Sequence, residues 1–289
     1  MLREILKLMR VQQWVKNLFV FMPLFFDHKF TDVGKLMLTL LCAIAFSLAA
    51  SAVYCLNDIL DREADARHPE KCHRPIASGA LSVTTGWIVM AVCALLAIGI
   101  TICLLSQMSL WVLLIYLVLN VAYSLWLKHV SLIDVLTVAF FYVLRVVAGA
   151  VAGDVEPSQW IVVMTFLLAL FLVLGKRRDD VMLQAASGQE VRRGVANYNM
   201  EYINMALTMV ATITVVAYMM YSMSSEVMER FGSRYTFITA AFVLAGMLRY
   251  MQLVMSGKSG SPTRVLLRDT FIQLCVLGWI ITFIVIIYL

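Results

Sequence analysis

Asn57, Asp58, Asp61 and Asp65 place four oxygen-bearing side chains where a long apolar run ends. If the helix of that run continues through them, Asp58, Asp61 and Asp65 stand at i, i+3 and i+7. Asn57 and Asp61 stand at i and i+4, so all four share one helical face. Like charges at these spacings repel, so a cation must offset them. Hard oxygen donors without His or Cys suit Mg²⁺. A solvated, charged helix end is the bland reading, but ionisable groups at the edge of a membrane-like run mark function by default. Lys71 and Arg74 follow closely. Carboxylates that hold Mg²⁺ beside Lys and Arg are what a diphosphate site requires. The metal bridges phosphate oxygens, and the cations take up the charge that develops on departure.

A second charged segment, Gly175-Lys176-Arg177-Arg178-Asp179-Asp180, opens another polar stretch over 176–203. Its cations read either as ordinary cytoplasmic helix-end residues or as phosphate contacts, with Asp179 and Asp180 orienting them or completing a metal site. Asn197, Tyr198 and Asn199 are turn residues or ligand contacts. Arg10, Trp14, Lys16 and Asn17 form an interfacial anchor or one face of the site. Tyr123, Ser124 and Lys128 end an apolar run, and Lys128 either snorkels or meets an anion. Asp134 opens the next run. Arg145 lies three turns beyond it in apolar surroundings, where it must pair with a carboxylate or face an anionic ligand. His28, His68, His73 and His129 show no metal-ligand spacing. The six cysteines form no C-x-x-C and read as small buried hydrophobes.

The elements that must carry these groups follow from composition. The chain has 289 residues, 62% hydrophobic and 14% charged, with mean hydropathy +0.87. That is too apolar for a soluble domain and excludes disorder. An all-α, polytopic membrane protein remains, read as a single integral-membrane domain over 1–289. Nine spans are expected at about 14–30, 35–56, 82–105, 109–127, 131–152, 158–175, 204–223, 235–254 and 270–289, each near the roughly 20 residues a bilayer needs. No small-residue cleavage site follows the first apolar run, so no secretory signal is expected. With the N-terminus inside, eighteen Lys and Arg fall on the cytoplasmic side against four outside, and Arg145 lies within a span. The net charge of +5 therefore reflects topology, and nucleic acid is not an expected partner. The two charged segments follow corresponding spans, which suggests a pseudo-repeat with two cytoplasmic motif loops facing each other across a nine-helix bundle.

Asn57-Asp58-x-x-Asp61-x-x-x-Asp65, preceded by Trp14-x-Lys16-Asn17 and followed by His68-Pro69-x-Lys71-x-x-Arg74-Pro75-Ile76-Ala77-x-Gly79, resembles the UbiA-type intramembrane prenyltransferase superfamily. The resemblance covers nearly the whole chain. It implies a helical bundle whose catalytic cavity opens near the cytoplasmic face and toward lipid, where Mg²⁺ and two Asp-rich motifs grip a diphosphate. The second motif departs from the widely spaced Asp residues of aromatic-acceptor members. Lys176-Arg177-Arg178-Asp179-Asp180, with Tyr123-Ser124-x-x-x-Lys128, resembles the decaprenyl-phosphate phosphoribosyltransferase branch.

That branch implies Mg²⁺-dependent transfer of 5-phosphoribose from phosphoribosyl diphosphate to a polyprenyl phosphate in a bacterial plasma membrane. Asp58, Asp61, Asp65 and Asn57 would hold the metal. Lys71 and Arg74 would meet the leaving diphosphate, and Lys176, Arg177 and Arg178 a substrate phosphate. Lys16, Tyr123, Lys128, Arg145, Asp179, Asp180 and Tyr198 complete the expected substrate contacts. A diphosphate, a 5-phosphate and a lipid phosphate held together suit so many cations. The alternative is prenyl transfer from a polyprenyl diphosphate to a 4-hydroxybenzoate- or quinone-type acceptor. A secondary transporter is disfavoured because the polar groups cluster at helix ends. Homo-oligomerisation is left open.

Overall fold

A computed structural model of the chain describes residues 1–67, 71–187, 198–257 and 262–288. His68, Pro69 and Asn197 lie outside the described residues, as do Arg192, Arg193 and Lys258, which are among the eighteen cytoplasmic cations counted from the sequence. Every regular element among the described residues is helical: α1 (Leu2–Leu8), α2 (Met22–Phe26), α3 (Val33–Leu60), α4 (Arg62–Ala66), α5 (Val83–Leu104), α6 (Gln107–Leu125), α7 (Ile133–Ala152), α8 (Gln159–Ser187), α9 (Met200–Ser222), α10 (Ser225–Phe231), α11 (Thr239–Met255), α12 (Pro262–Arg268) and α13 (Thr270–Tyr288), with short 3₁₀ segments between. Seven described helices are long and apolar enough to cross a membrane, or eight if the bent α12–α13 pair counts as one span. The protein is an integral membrane protein.

That number differs from the nine expected, for two local reasons. Residues 14–30 do not make one α-helix. The chain runs as a 3₁₀ helix over Val11–Phe21 and restarts as α2, with Pro23 in its first turn. At the other end, α12 and α13 meet at 85°. The bend falls at Asp269, whose carboxylate accepts the Ile272 N–H at 3.0 Å and so caps α13.

The chain divides into two compact units, and α7 begins in one and ends in the other. The first unit holds Met1–Lys128 with Phe140–Val162. Its axis is α3, 28 residues long, which starts where Asp32 accepts the Lys35 N–H. Buried Ala43, Ala45, Ala49, Ala50 and Ala52 let neighbours approach α3 closely. It packs along α5, α6 and the 11–21 segment. Ser82 and Ser106 cap α5 and α6 by accepting the N–H of Thr85 and Ser109. Trp87, Ile88, Val92, Leu95, Leu96 and Ile102 leave α5 broadly exposed and apolar, as a lipid-facing helix requires.

One polar stripe on α3 sets the register of the 11–21 segment. Asn17 Nδ2 donates to Ser47 Oγ at 2.8 Å, and Trp14 Nε1 donates to Ser51 Oγ at 3.0 Å. Ser51 in turn donates to the Met9 carbonyl. On the other side of the segment, Gly149 of α7 lies against the backbone of Val20, where any Cβ would overlap the Val20 carbonyl. Gly149→Ala is therefore expected to destabilise the protein by at least the ~1–3 kcal/mol typical of overpacking, because backbone cannot rotate aside. A thermal transition in detergent unchanged from wild type would contradict that close approach.

The second unit holds His129–Ala139 with Val163–Leu289. Its core gathers Val135 of α7, Phe171, Val173 and Leu174 of α8, Leu207 and Val210 of α9, and Met247, Tyr250 and Val254 of α11. Asn199 caps α9 by accepting the Tyr202 N–H at 2.7 Å.

Candidate active site

The first acidic motif is not one unbroken helix. Helix α3 stops at Leu60, Asp61 caps it, and α4 begins at Arg62. Four acids and an amide in nine residues load a continuous helix with repulsion, and the break redistributes them. Asp58 and Asp65 are buried at 1% and 4% exposure, while the Asp61 side chain keeps 36%. Each meets a cation of the same unit. Arg74 Nη1 lies between two carboxylates, 3.2 Å from Asp58 Oδ1 and 2.5 Å from Asp65 Oδ2. Arg10 also pairs with Asp58 and lies 4.8 Å over the Tyr54 ring. Lys128, buried at the end of α6, donates to Asp61 at 2.7 Å. Arg10 is a non-glycine residue at φ 51°, in the left-handed region. Such strain persists where surroundings over-determine it, and the Asp58 and Tyr54 contacts do so.

The chemistry of this cluster fits a divalent cation. Two buried carboxylates converge on one positive centre, the Arg74 guanidinium, in the manner of a shared cation site. No three Asp, Glu, His or Cys side chains among the described residues converge as a ready-made ligand set. Asn57 sits one position before Asp58 on α3, and Lys71 opens the short 3₁₀ turn before Arg74.

The second motif lies inside α8, not in a loop. The helix runs without a break to Ser187. Its two arginines are buried and engaged. Arg177 Nε donates to Asp134 Oδ2 at 2.6 Å and Nη1 to Asp180 Oδ2 at 2.7 Å. Asp134, fully buried at the start of α7, also accepts the Tyr198 hydroxyl at 3.0 Å. Tyr198 itself accepts the Leu132 N–H at 2.6 Å, and Leu132 has φ 68°. Burial pushes the Tyr198 hydroxyl pKa up, and the adjacent Asp134 charge adds to that rise. Arg178 donates to Asn204 Oδ1 at 2.8 Å and to the Val254 carbonyl at 2.6 Å, which satisfies the C-terminal end of α11. Arg177, Arg178 and Tyr198, expected as substrate contacts, thus form a network that fixes α7, α8, α9 and α11 within the second unit. Lys176 is exposed, and Asp179 is partly so.

Arg145 is buried at 4% exposure and has neutral partners. Nε donates to Asn17 Oδ1 at 2.7 Å, Nη1 to the Phe141 carbonyl at 2.7 Å and Nη2 to Tyr116 Oη at 3.0 Å. Tyr116 and Tyr142 lie under its guanidinium at 5.1 and 5.3 Å. Lys16 lies in the same electrostatic neighbourhood, beside Tyr54. Tyr123 packs edge-on against Phe141 at 5.8 Å. The sequence reading passed over Tyr54, Tyr116 and Tyr142. Their signal was a hydroxyl inside an apolar run, and Tyr142 stands one turn before Arg145.

Residues 19–275 match the UbiA prenyltransferase family. A decaprenyl-phosphate phosphoribosyltransferase of Mycobacterium tuberculosis is 32% identical over 96% of this chain and 92% of its own length. The protein of that name from Corynebacterium glutamicum is 31% identical over 98% of this chain and 86% of its own. Among solved structures, a UbiA homologue from Archaeoglobus fulgidus bound to GPP and Mg²⁺ superposes with a TM-score of 0.72 at 18% identity, covering 99% of this chain and all of that one.

Proposed function

The chain belongs to the UbiA prenyltransferase family and is a transferase, and from that premise we propose that it moves 5-phosphoribose from phosphoribosyl diphosphate to a polyprenyl phosphate. The observation that carries this reading is the first-unit cluster, where Asp58, Asp61 and Asp65 meet Arg10, Arg74 and Lys128. The relatives named for this reaction, alike over nearly the whole chain, narrow the substrate class.

Asp58, Asp61 and Asp65, with Asn57, would hold Mg²⁺, by analogy with the archaeal homologue. Bound there with the diphosphate, the metal supplies charge neutralisation of the leaving group. Displaced from the carboxylates, Arg74, Arg10 and Lys128 are placed to turn to the diphosphate oxygens, and Lys71 lies on the same short turn. The C1–O bond breaks with its electron pair on the diphosphate. A lipid phosphate oxygen forms the new bond to C1. That oxygen is already anionic near neutral pH, so no general base is called for. Tyr123 is proposed to wall the site. The surplus of Lys and Arg around these segments supports a cytoplasmic N-terminus and site. One integral-membrane domain over 1–289 carries the reaction.

The test uses purified protein in detergent with Mg²⁺, ribose-labelled phosphoribosyl diphosphate and a polyprenyl phosphate. Label is expected in the organic phase and is expected to disappear with EDTA. Transfer that persists undiminished in excess EDTA would remove the metal from the proposal. No transfer would remove the reaction.

A further inference from the structure

Arg145, buried, and Lys16, partly exposed, place two positive charges near each other with no carboxylate partner among the described residues. Arg145 bonds only to neutral acceptors: an amide, a carbonyl and a phenol. The side chains around Lys16 are Tyr54, Tyr116 and Tyr142, with Arg145 itself raising the local positive charge. Hydrogen bonds and ring faces satisfy donors, but they do not cancel two charges in low dielectric. Arg145 lies roughly 18 Å along α7 from its start, at 1.5 Å per residue, too deep to reach bulk water by snorkelling. A buried charge of this kind marks a functional site by default. Lys16 and Tyr54 stay partly exposed, unlike Asn17, Tyr116 and Arg145. The pair therefore has a closed back wall and an accessible front.

We infer that Lys16 and Arg145, framed by Tyr54, Tyr116 and Tyr142, receive a phosphate monoester. The inference rests on the phosphoribosyl reading, within which the group is the 5-phosphate of the donor. Position supports that source. Tyr54, beside Lys16, is one α3 turn from Asp58 and shares the Arg10 contact with it. Two neighbouring anion grips in one unit suit a sugar carrying phosphate at one end and diphosphate at the other. The acceptor phosphate must instead reach C1 beside the leaving diphosphate. The same pair makes the site selective. A prenyl diphosphate bound through the acidic cluster would lay hydrocarbon against two unpaired cations, at a cost its tail cannot recover. A phosphate dianion there gains charge-assisted hydrogen bonds.

The experiment compares two donors with purified full-length protein, Mg²⁺ and polyprenyl phosphate: phosphoribosyl diphosphate and ribosyl 1-diphosphate, which lacks the 5-phosphate. Lys16→Gln is expected to lower kcat/KM for the first donor about 10- to 100-fold, the usual range for a charged hydrogen bond. The preference for the first donor over the second falls by the same factor. Inhibition by ribose 5-phosphate weakens in parallel, while inhibition by inorganic diphosphate stays within about twofold of wild type. Lys16→Arg keeps the charge and retains most of the preference. Equal losses with both donors, or no loss with either, would overturn the assignment alone. A raised KM for the lipid phosphate with donor preference intact would overturn the donor assignment and give the pair to the acceptor. Wild-type protein that transfers ribose from neither donor would overturn the phosphoribosyl reading, and this assignment with it.

Discussion

Asp61→Asn is expected to cut turnover by about 10²- to 10³-fold while leaving the thermal transition in detergent close to that of wild type. The loss is the size associated with removing one preorganised electrostatic group. The preserved fold follows from position. Asp61 caps α3, keeps 36% side-chain exposure and has one ionic partner, Lys128 at 2.7 Å. An amide oxygen at the same place still accepts from that ammonium. Asp58→Asn should show the same catalytic loss with a different stability. Asp58 is buried and neutralises Arg10 and Arg74 together. Breaking such a pairing costs about 3–5 kcal/mol, because Arg10 is left facing a neutral group while Arg74 keeps Asp65. Kinetics and thermal unfolding on both variants separate the two effects. Wild-type turnover in either would remove the acidic cluster from the reaction.

The largest expected effect on stability lies in the second unit. Arg177→Ala leaves fully buried Asp134 without its cation and Asp180 without its partner. A destabilisation of about 3–5 kcal/mol is expected, or roughly 10 °C in a thermal transition for a unit of this size. The folded enzyme should keep KM for both substrates within about twofold. Replacing the pair together, as Arg177→Met with Asp134→Leu, should recover part of the loss, since a buried ion pair often gains little over well-packed hydrophobes. An unchanged transition with a raised KM for one anionic substrate would return Arg177 to phosphate binding.

The contrast between the two motifs shows what could be read from residues alone. Asp58, Asp61, Asp65 and Arg74 lie within seventeen positions of each other, and local spacing plus charge balance was enough to bring them together. The break at Asp61 was not readable, because each flanking stretch is compatible with helix and only the charge load divides them. The second motif misled for the opposite reason. Three consecutive cations at the end of an apolar run resemble an exposed helix end, but Arg178 finds the Val254 carbonyl 76 positions away, and Arg177 finds Asp134 across 43. Such partners are set by packing and leave no local trace. The spans were legible from hydropathy except at the bent α12–α13 pair and at 14–30, where the Ser47 and Ser51 stripe of α3 holds a 3₁₀ segment in register. A pattern of apolar residues does not distinguish that from an α-helix of similar reach. Arg145 announced that it needed a partner, yet its partners are Asn17 and two tyrosines, which charge arithmetic does not count.

In the proposed reaction 5-phosphoribose, not a prenyl group, is transferred. The most direct measurement offers the purified protein both donors at once, phosphoribosyl diphosphate and a polyprenyl diphosphate, with polyprenyl phosphate and 4-hydroxybenzoate as acceptors and Mg²⁺ present. Mass spectrometry of the lipid extract identifies the product. A polyprenyl phosphate heavier by one phosphoribosyl group, with one diphosphate released per transfer and no prenylated aromatic acid, is the predicted result. Prenylated 4-hydroxybenzoate with the polyprenyl phosphate unchanged would contradict it.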